Sequence, residues 1–128
     1  MTYRPVQVYT GSEWVNLAVG IADPNQRIVS SISGTTKTLA LSDAGKMLLF
    51  TSSSSITLTI PTNASVGFVI GQTFSVVQDG TGVVTVAGDT GVTLTSRGSR
   101  TKTNGQYAEA LLTKVGTDEW LLSGDITS

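Results

Sequence analysis

The clearest pattern in the chain is an alternation of apolar and polar positions with a period of two. Residues 56–60 read Ile-Thr-Leu-Thr-Ile, which points Ile56, Leu58 and Ile60 one way and Thr57 and Thr59 the other. Apolar residues at every second place, with β-branched residues among them, fit a half-buried strand. Pro61 ends it, because proline cannot donate to a central ladder. The same reading predicts strands over 38–41, 46–50, 73–78, 83–87, 92–95, 106–115 and 120–123. Turn clusters separate them: SDAG at 42–45, a serine run at 52–55, DGTG at 79–82, GDTG at 88–91 and a polar, basic loop at 96–105. Asp-Gly between 73–78 and 83–87 predicts a hairpin there. Residues 107–114 contain good helix formers, but they lack a suitable N-cap and run directly into a turn and a tryptophan strand, so they are read as extended. Roughly eight strands with turns every 8–12 residues predict an all-β domain. The expected form is an antiparallel β-sandwich, jelly-roll-like, over 36–128. No repeat of fixed period is visible.

The first 35 residues read differently. Pro5 restricts Arg4 to extended backbone, and Val6 and Val8 alternate with Gln7 and Tyr9. A turn cluster at 10–13 leads to Trp14, Val15, Leu17 and Val19, so two short runs around a glycine-containing loop predict a β-hairpin. A polar stretch with Asp-Pro follows, and 28–37 begins as a strand and ends as a link. The chain therefore divides into an anchor arm with linker, 1–35, and a sandwich, 36–128. Tyr3, Arg4, Val6, Val8, Tyr9 and Trp14 are the candidate partner-binding residues of the arm, because aromatics and arginine dominate binding hot spots. Trp120, beside two leucines, is expected in the core.

Composition narrows the function. The 128 residues suffice for one core. Only 13% are charged and the formal net charge is −1, against ~25% charged in a typical domain. Serine and threonine make up about a quarter of the chain. No basic stripe is present to displace counterions, which argues against nucleic acid. No cysteine is present, so there is neither a disulfide framework nor a thiolate metal site. The N-terminus carries no apolar signal-peptide region, and no run approaches the ~20 apolar residues of a membrane span.

Histidine is also absent. That removes the commonest general base and the Ser–His and Cys–His nucleophile pairs, and it removes most zinc and iron sites. Asp79, Asp89, Asp118 and Asp125 each stand beside glycine or threonine, where aspartate ordinarily bonds its own backbone. DGTG and GDTG offer oxygen ligands without the spacing of a known calcium loop, and GDTGVT lacks the lysine of a phosphate loop. The reading is that the chain is no enzyme and uses no cofactor. Arg97, Arg100 and Lys102 place three positive charges on one loop, which suits a solvated loop or contact with an acidic partner or glycan.

Several short motifs carry a resemblance: the strand end TIP at 59–61, QDGTGVVT at 78–85, GQYA at 105–108 and GTDEWLLSGD at 116–125. Together they resemble the β-domain of tailed-bacteriophage virion surface proteins, namely capsid decoration, head fibre and tail fibre proteins, over residues 36–126. The opening TYRPVQVYTGSEWVNLAVGIAD is similar to the short anchor of phage appendage proteins. The resemblance implies a homotrimer attached by its N-terminus. It also implies the major capsid protein or another virion protein as partner, and location on the virion after synthesis in the host cytoplasm. The chain is short and has no shaft repeats, which favours a capsid decoration or cement protein. The alternative is a head fibre or short tail fibre that recognises a host-surface glycan through loops 62–72 and 96–105.

Overall fold

The computed structural model describes residues 7–9, 14–16 and 27–128. At the N-terminus, β1 (Gln7–Tyr9) and β2 (Trp14–Asn16) pair antiparallel, Gln7 with Asn16 and Tyr9 with Trp14. This is the hairpin expected from the two short runs around the 10–13 turn. It forms a sheet of its own.

The remaining strands build two layers. They are β3 (Val29–Ile32), β4 (Thr36–Thr38), β5 (Met47–Phe50), β6 (Ile56–Ile60), β7 (Thr73–Gln78), β8 (Val84–Gly88), β9 (Thr93–Ser96), β10 (Lys102–Thr103), β11 (Glu109–Gly116), β12 (Glu119–Gly124) and β13 (Ile126–Thr127). One sheet has the order β3-β5-β7-β11-β12-β9 and the other β13-β10-β8-β6-β4. The all-β, sandwich-like reading holds. The sheets are mixed, however, where antiparallel pairing was expected, and the strand order does not single out a jelly roll.

The cause is a stack of two-strand rungs. β3 and β4, then β5 and β6, then β7 and β8 each contribute one strand to each sheet, and successive rungs pair in parallel in both. The rungs line up Val29, Met47 and Ser75 in one sheet and Thr36, Thr57 and Thr85 in the other. These spacings are unequal, which is why no fixed period shows in the sequence. The predicted hairpin at 79–82 is therefore corrected, because β7 and β8 lie in different sheets. The DGTG segment is a corner that stacks on the corner of the rung before it. The Asp79 and Gly80 amides donate to the Phe50 carbonyl (2.8 and 3.0 Å), and the Gly82 amide donates to the Ser52 carbonyl (3.0 Å). Glycine is needed there for approach: a Cβ on Gly82 would lie 2.0 Å from the Ser54 carbonyl oxygen.

β11 pairs antiparallel with β7 on one side and β12 on the other, with a register break between Lys114 and Gly116, while β12 takes β9 alongside in parallel. The extended reading of 106–115 thus holds, beginning three residues later than predicted. The strand predicted at 38–41 is displaced. β4 ends at Thr38, and Leu41–Asp43 is a 3-10 turn. Asp43 enforces it: one carboxylate oxygen accepts from the Ala40 amide (2.8 Å) and pairs with the Lys37 ammonium (3.0 Å). The sheet also reaches back to Val29, inside the stretch read as linker. The two-residue strands β10 and β13 are additions.

The core lies between the layers. Leu48, Phe50, Phe74, Val76, Leu112, Trp120 and Leu122 face Ile56, Leu58, Ile60, Val84 and Val86. Trp120 is buried as expected and forms an aromatic group with Phe68 and Phe74, with centroids 5.8 and 5.9 Å away. The outward row of the five-stranded sheet is Thr36, Thr57, Thr85, Lys102 and Thr127. Threonine keeps strand propensity while offering water a hydroxyl, which accounts for a solvent face with so little charge.

Candidate functional site

A groove of about 370 Å³ opens at one end of the sandwich, lined by Arg97, Arg100, Leu121, Leu122, Ser123, Gly124 and Ile126. Two crossings between the sheets create it. The first carries the chain from β9 to β10 through a 3-10 turn at Arg97–Ser99, and the second carries it from β12 to β13 at Gly124 and Asp125. β9 runs parallel to β12 with Ser96 opposite Leu122, so the turn emerges beside the end of β12. Gly98 and Ser99 both take left-handed backbone, with φ of 66° and 55°. Such a conformation costs a serine roughly 1–2 kcal/mol. The Ser96 hydroxyl donates to the Arg100 carbonyl (2.5 Å) and closes the turn. Gly124 also has positive φ, and a Cβ there would meet the Glu109 carbonyl oxygen at 2.7 Å. No side chain can fill that rim.

Among the described residues the one ion pair is Lys37–Asp43. The Arg97 and Arg100 guanidinium groups, both on exposed residues, have no carboxylate partner there. The groove therefore combines two arginines with the apolar side chains of Leu121, Leu122 and Ile126 and with Ser123.

The structure separates the two loops that the sequence linked to recognition. Loop 96–105 reaches this groove. Loop 62–72 sits at the opposite end of β11 and β12 and is tied down. Lys114, buried in the inner face of β11, donates to the Asn63 side-chain oxygen (2.6 Å) and to the Phe68 carbonyl (2.7 Å). The Asn63 amide in turn donates to the Asp118 carboxylate (2.8 Å). Phe68 plugs the core, while Val69 and Ile70 remain exposed.

Of the aspartates expected to bond their own turns, Asp89 does, accepting from the Thr90 amide (2.8 Å). Asp118 and Asp125 instead bond across the fold, Asp118 to the Asn63 backbone amide and Asp125 to the Asn104 side chain (3.0 Å). No cluster of three acidic or otherwise metal-ligating side chains occurs among the described residues. No helix among them is long and apolar enough to cross a membrane. Of the arm residues, Val8, Tyr9 and Trp14 lie in the β1–β2 pair, whereas Tyr3, Arg4 and Val6 fall outside the described residues. Sequence reasoning missed Leu121, Ser123 and Ile126 as groove residues. The alternation from buried Trp120 and Leu122 was the available signal, because it turns Leu121 and Ser123 outward.

The groove adjoins a second surface, the outer face of the six-stranded sheet, with which it shares Leu121 and Ser123. Val29, Met47, Ser75, Leu111 and Ser123 form one cross-strand row, in which Ser75 is buried and its hydroxyl accepts from the Arg27 guanidinium; the next row is Ser31, Leu49, Val77 and Glu109. Val29, Leu111, Val115 and Leu121 are all exposed.

No protein-family model matches the chain, and neither does any curated protein.

Proposed function

We propose that the chain is a structural protein of a tailed-phage particle. In this reading it decorates the outer head surface as a trimer and holds the major capsid protein through its N-terminal arm. The observation that carries the reading is the β1–β2 pair, which joins neither large sheet. Among the described residues the core cluster is drawn from Ile32–Ile126, which supports a binding role for the arm. Arg4, Tyr3, Tyr9 and Trp14 are the residue types expected at its binding centre. Val29, Leu111, Val115 and Leu121, all exposed on the outer face of the six-stranded sheet, support self-association, since exposed apolar side chains gathered on one face mark interaction sites. The motif resemblance over 36–126 supplies the phage context.

Co-sedimentation tests the arm. Full-length protein should pellet with capsids stripped of it, whereas a chain starting at Arg27 should stay in the supernatant and still unfold cooperatively in urea. Sedimentation of the truncated chain would refute the arm as anchor. The arginine groove favours a second reading, recognition of a host-surface glycan by the exposed end of the sandwich.

A further inference from the structure

We propose that the groove between Arg97 and Arg100 binds a carboxylate-bearing saccharide of the uronic-acid type. Three features select this chemistry. First, arginine presents a planar fork that matches a carboxylate bidentately. Two such forks, three residues apart on one closed turn, line the same small groove with no carboxylate partner among the described residues. Second, Leu121 and Ile126 give the wall an apolar surface, which suits the C–H face of a sugar ring, while the Ser123 hydroxyl can pair with a ring hydroxyl. Third, the volume of about 370 Å³ lies at the small-ligand end of binding pockets, roughly 300–1,000 Å³.

The turn is also built at a cost. Ser99 keeps a left-handed backbone that a serine avoids elsewhere, and the Ser96–Arg100 hydrogen bond holds it. Strain of this kind persists where the surroundings enforce it, and it concentrates at ligand clamps. Nucleic acid fits poorly, because the chain's net charge of −1 supplies no broad positive field. Uronate binding rests on the glycan-recognition reading of this groove and not on capsid attachment through the arm. A protein that fails to bind uronates can still decorate a head.

Isothermal titration calorimetry on the full chain tests the proposal. The probes are oligogalacturonate, the neutral galactose oligomer of equal length and a short poly-glutamate peptide. Oligogalacturonate should bind saturably, at least tenfold tighter than either of the others, and weaken as salt is added. Arg97→Ala and Arg100→Ala should each reduce affinity tenfold or more. Arg97→Lys and Arg100→Lys should fall between, since they keep the charge and lose the fork. Both positions are exposed, so the urea midpoint should not move. Three results would each overturn the proposal: no saturable uronate binding, tighter binding of the peptide or of the neutral oligomer, or uronate binding unchanged in both alanine variants.

Discussion

Replacing Gly82 by alanine tests the stacked corners on which the fold depends. Gly82 is buried and does not take a positive φ, so alanine suits its backbone. The obstacle is space. The new Cβ would lie 2.0 Å from the Ser54 carbonyl oxygen, 2.6 Å from its carbon and 2.8 Å from the Ser52 oxygen. All three are backbone atoms that no rotamer change can move aside. Restoring an ordinary contact of ~3.5 Å requires the corner to open by about 1.5 Å. That stretches the Gly82–Ser52 hydrogen bond, 3.0 Å in the native chain, until it breaks. A buried bond left unmade costs about 1–3 kcal/mol, and overpacking adds about 1–3 kcal/mol. The expected loss is therefore about 2–6 kcal/mol, a large share of the roughly 5–15 kcal/mol that holds a domain together. Gly91→Ala is the control. Gly91 has a φ of 95° with nothing within 4 Å of its Cβ position, so alanine there costs only backbone strain of about 1–2 kcal/mol. Urea unfolding followed by tryptophan fluorescence measures both. If 79–82 were an ordinary hairpin turn, cost would follow φ and Gly91 would be the more sensitive site. A loss below ~1 kcal/mol for Gly82→Ala, or a larger loss at Gly91, would refute the stacking.

Three further substitutions probe the core and the outer face. Trp120→Ala removes the ring packed on Phe68 and Phe74 and should cost about 3–5 kcal/mol in the same assay; a loss under ~1 kcal/mol would place the ring outside the core. Thr103→Val keeps shape but leaves the Gln78 side-chain oxygen and the Val84 amide without the Thr103 hydroxyl, 2.6 and 3.0 Å away. About 2–6 kcal/mol should be lost, given ~1–3 kcal/mol for each orphaned group, and an unchanged midpoint would contradict that network. Leu111→Glu places a charge at the centre of the exposed apolar face. Light scattering should shift from the mass of a trimer to that of a single chain with the circular dichroism spectrum intact, and a trimer that persists would exclude this face from the contact.

The strands were legible in the sequence and their neighbours were not. Ile56, Leu58 and Ile60 face the core, as their alternation requires, and Trp120 is buried where two leucines follow it. Period two fixes which way a side chain points, not which strand lies alongside. Parallel strands usually betray themselves by being apolar on both faces. Here threonines on the outer face, such as Thr57 and Thr85, imitate the one-sided burial of antiparallel sheets. Asp79-Gly80 has the appearance of a hairpin turn, because glycine serves equally for positive φ and for close backbone approach. Gly80 and Gly82 do the second, against a corner nearly thirty residues earlier that only the folded chain brings near. The basic loop was visible as a candidate contact through Arg97 and Arg100. Its apolar wall was missed, because Leu121 and Leu122 read as one core run although alternation from Trp120 turns Leu121 outward.

Immunogold electron microscopy on intact particles, with antibody against the purified chain, tests the functional reading most directly. The account predicts gold spread over the whole head. Gold confined to the tail or to one vertex, or no gold on any particle, would contradict capsid decoration.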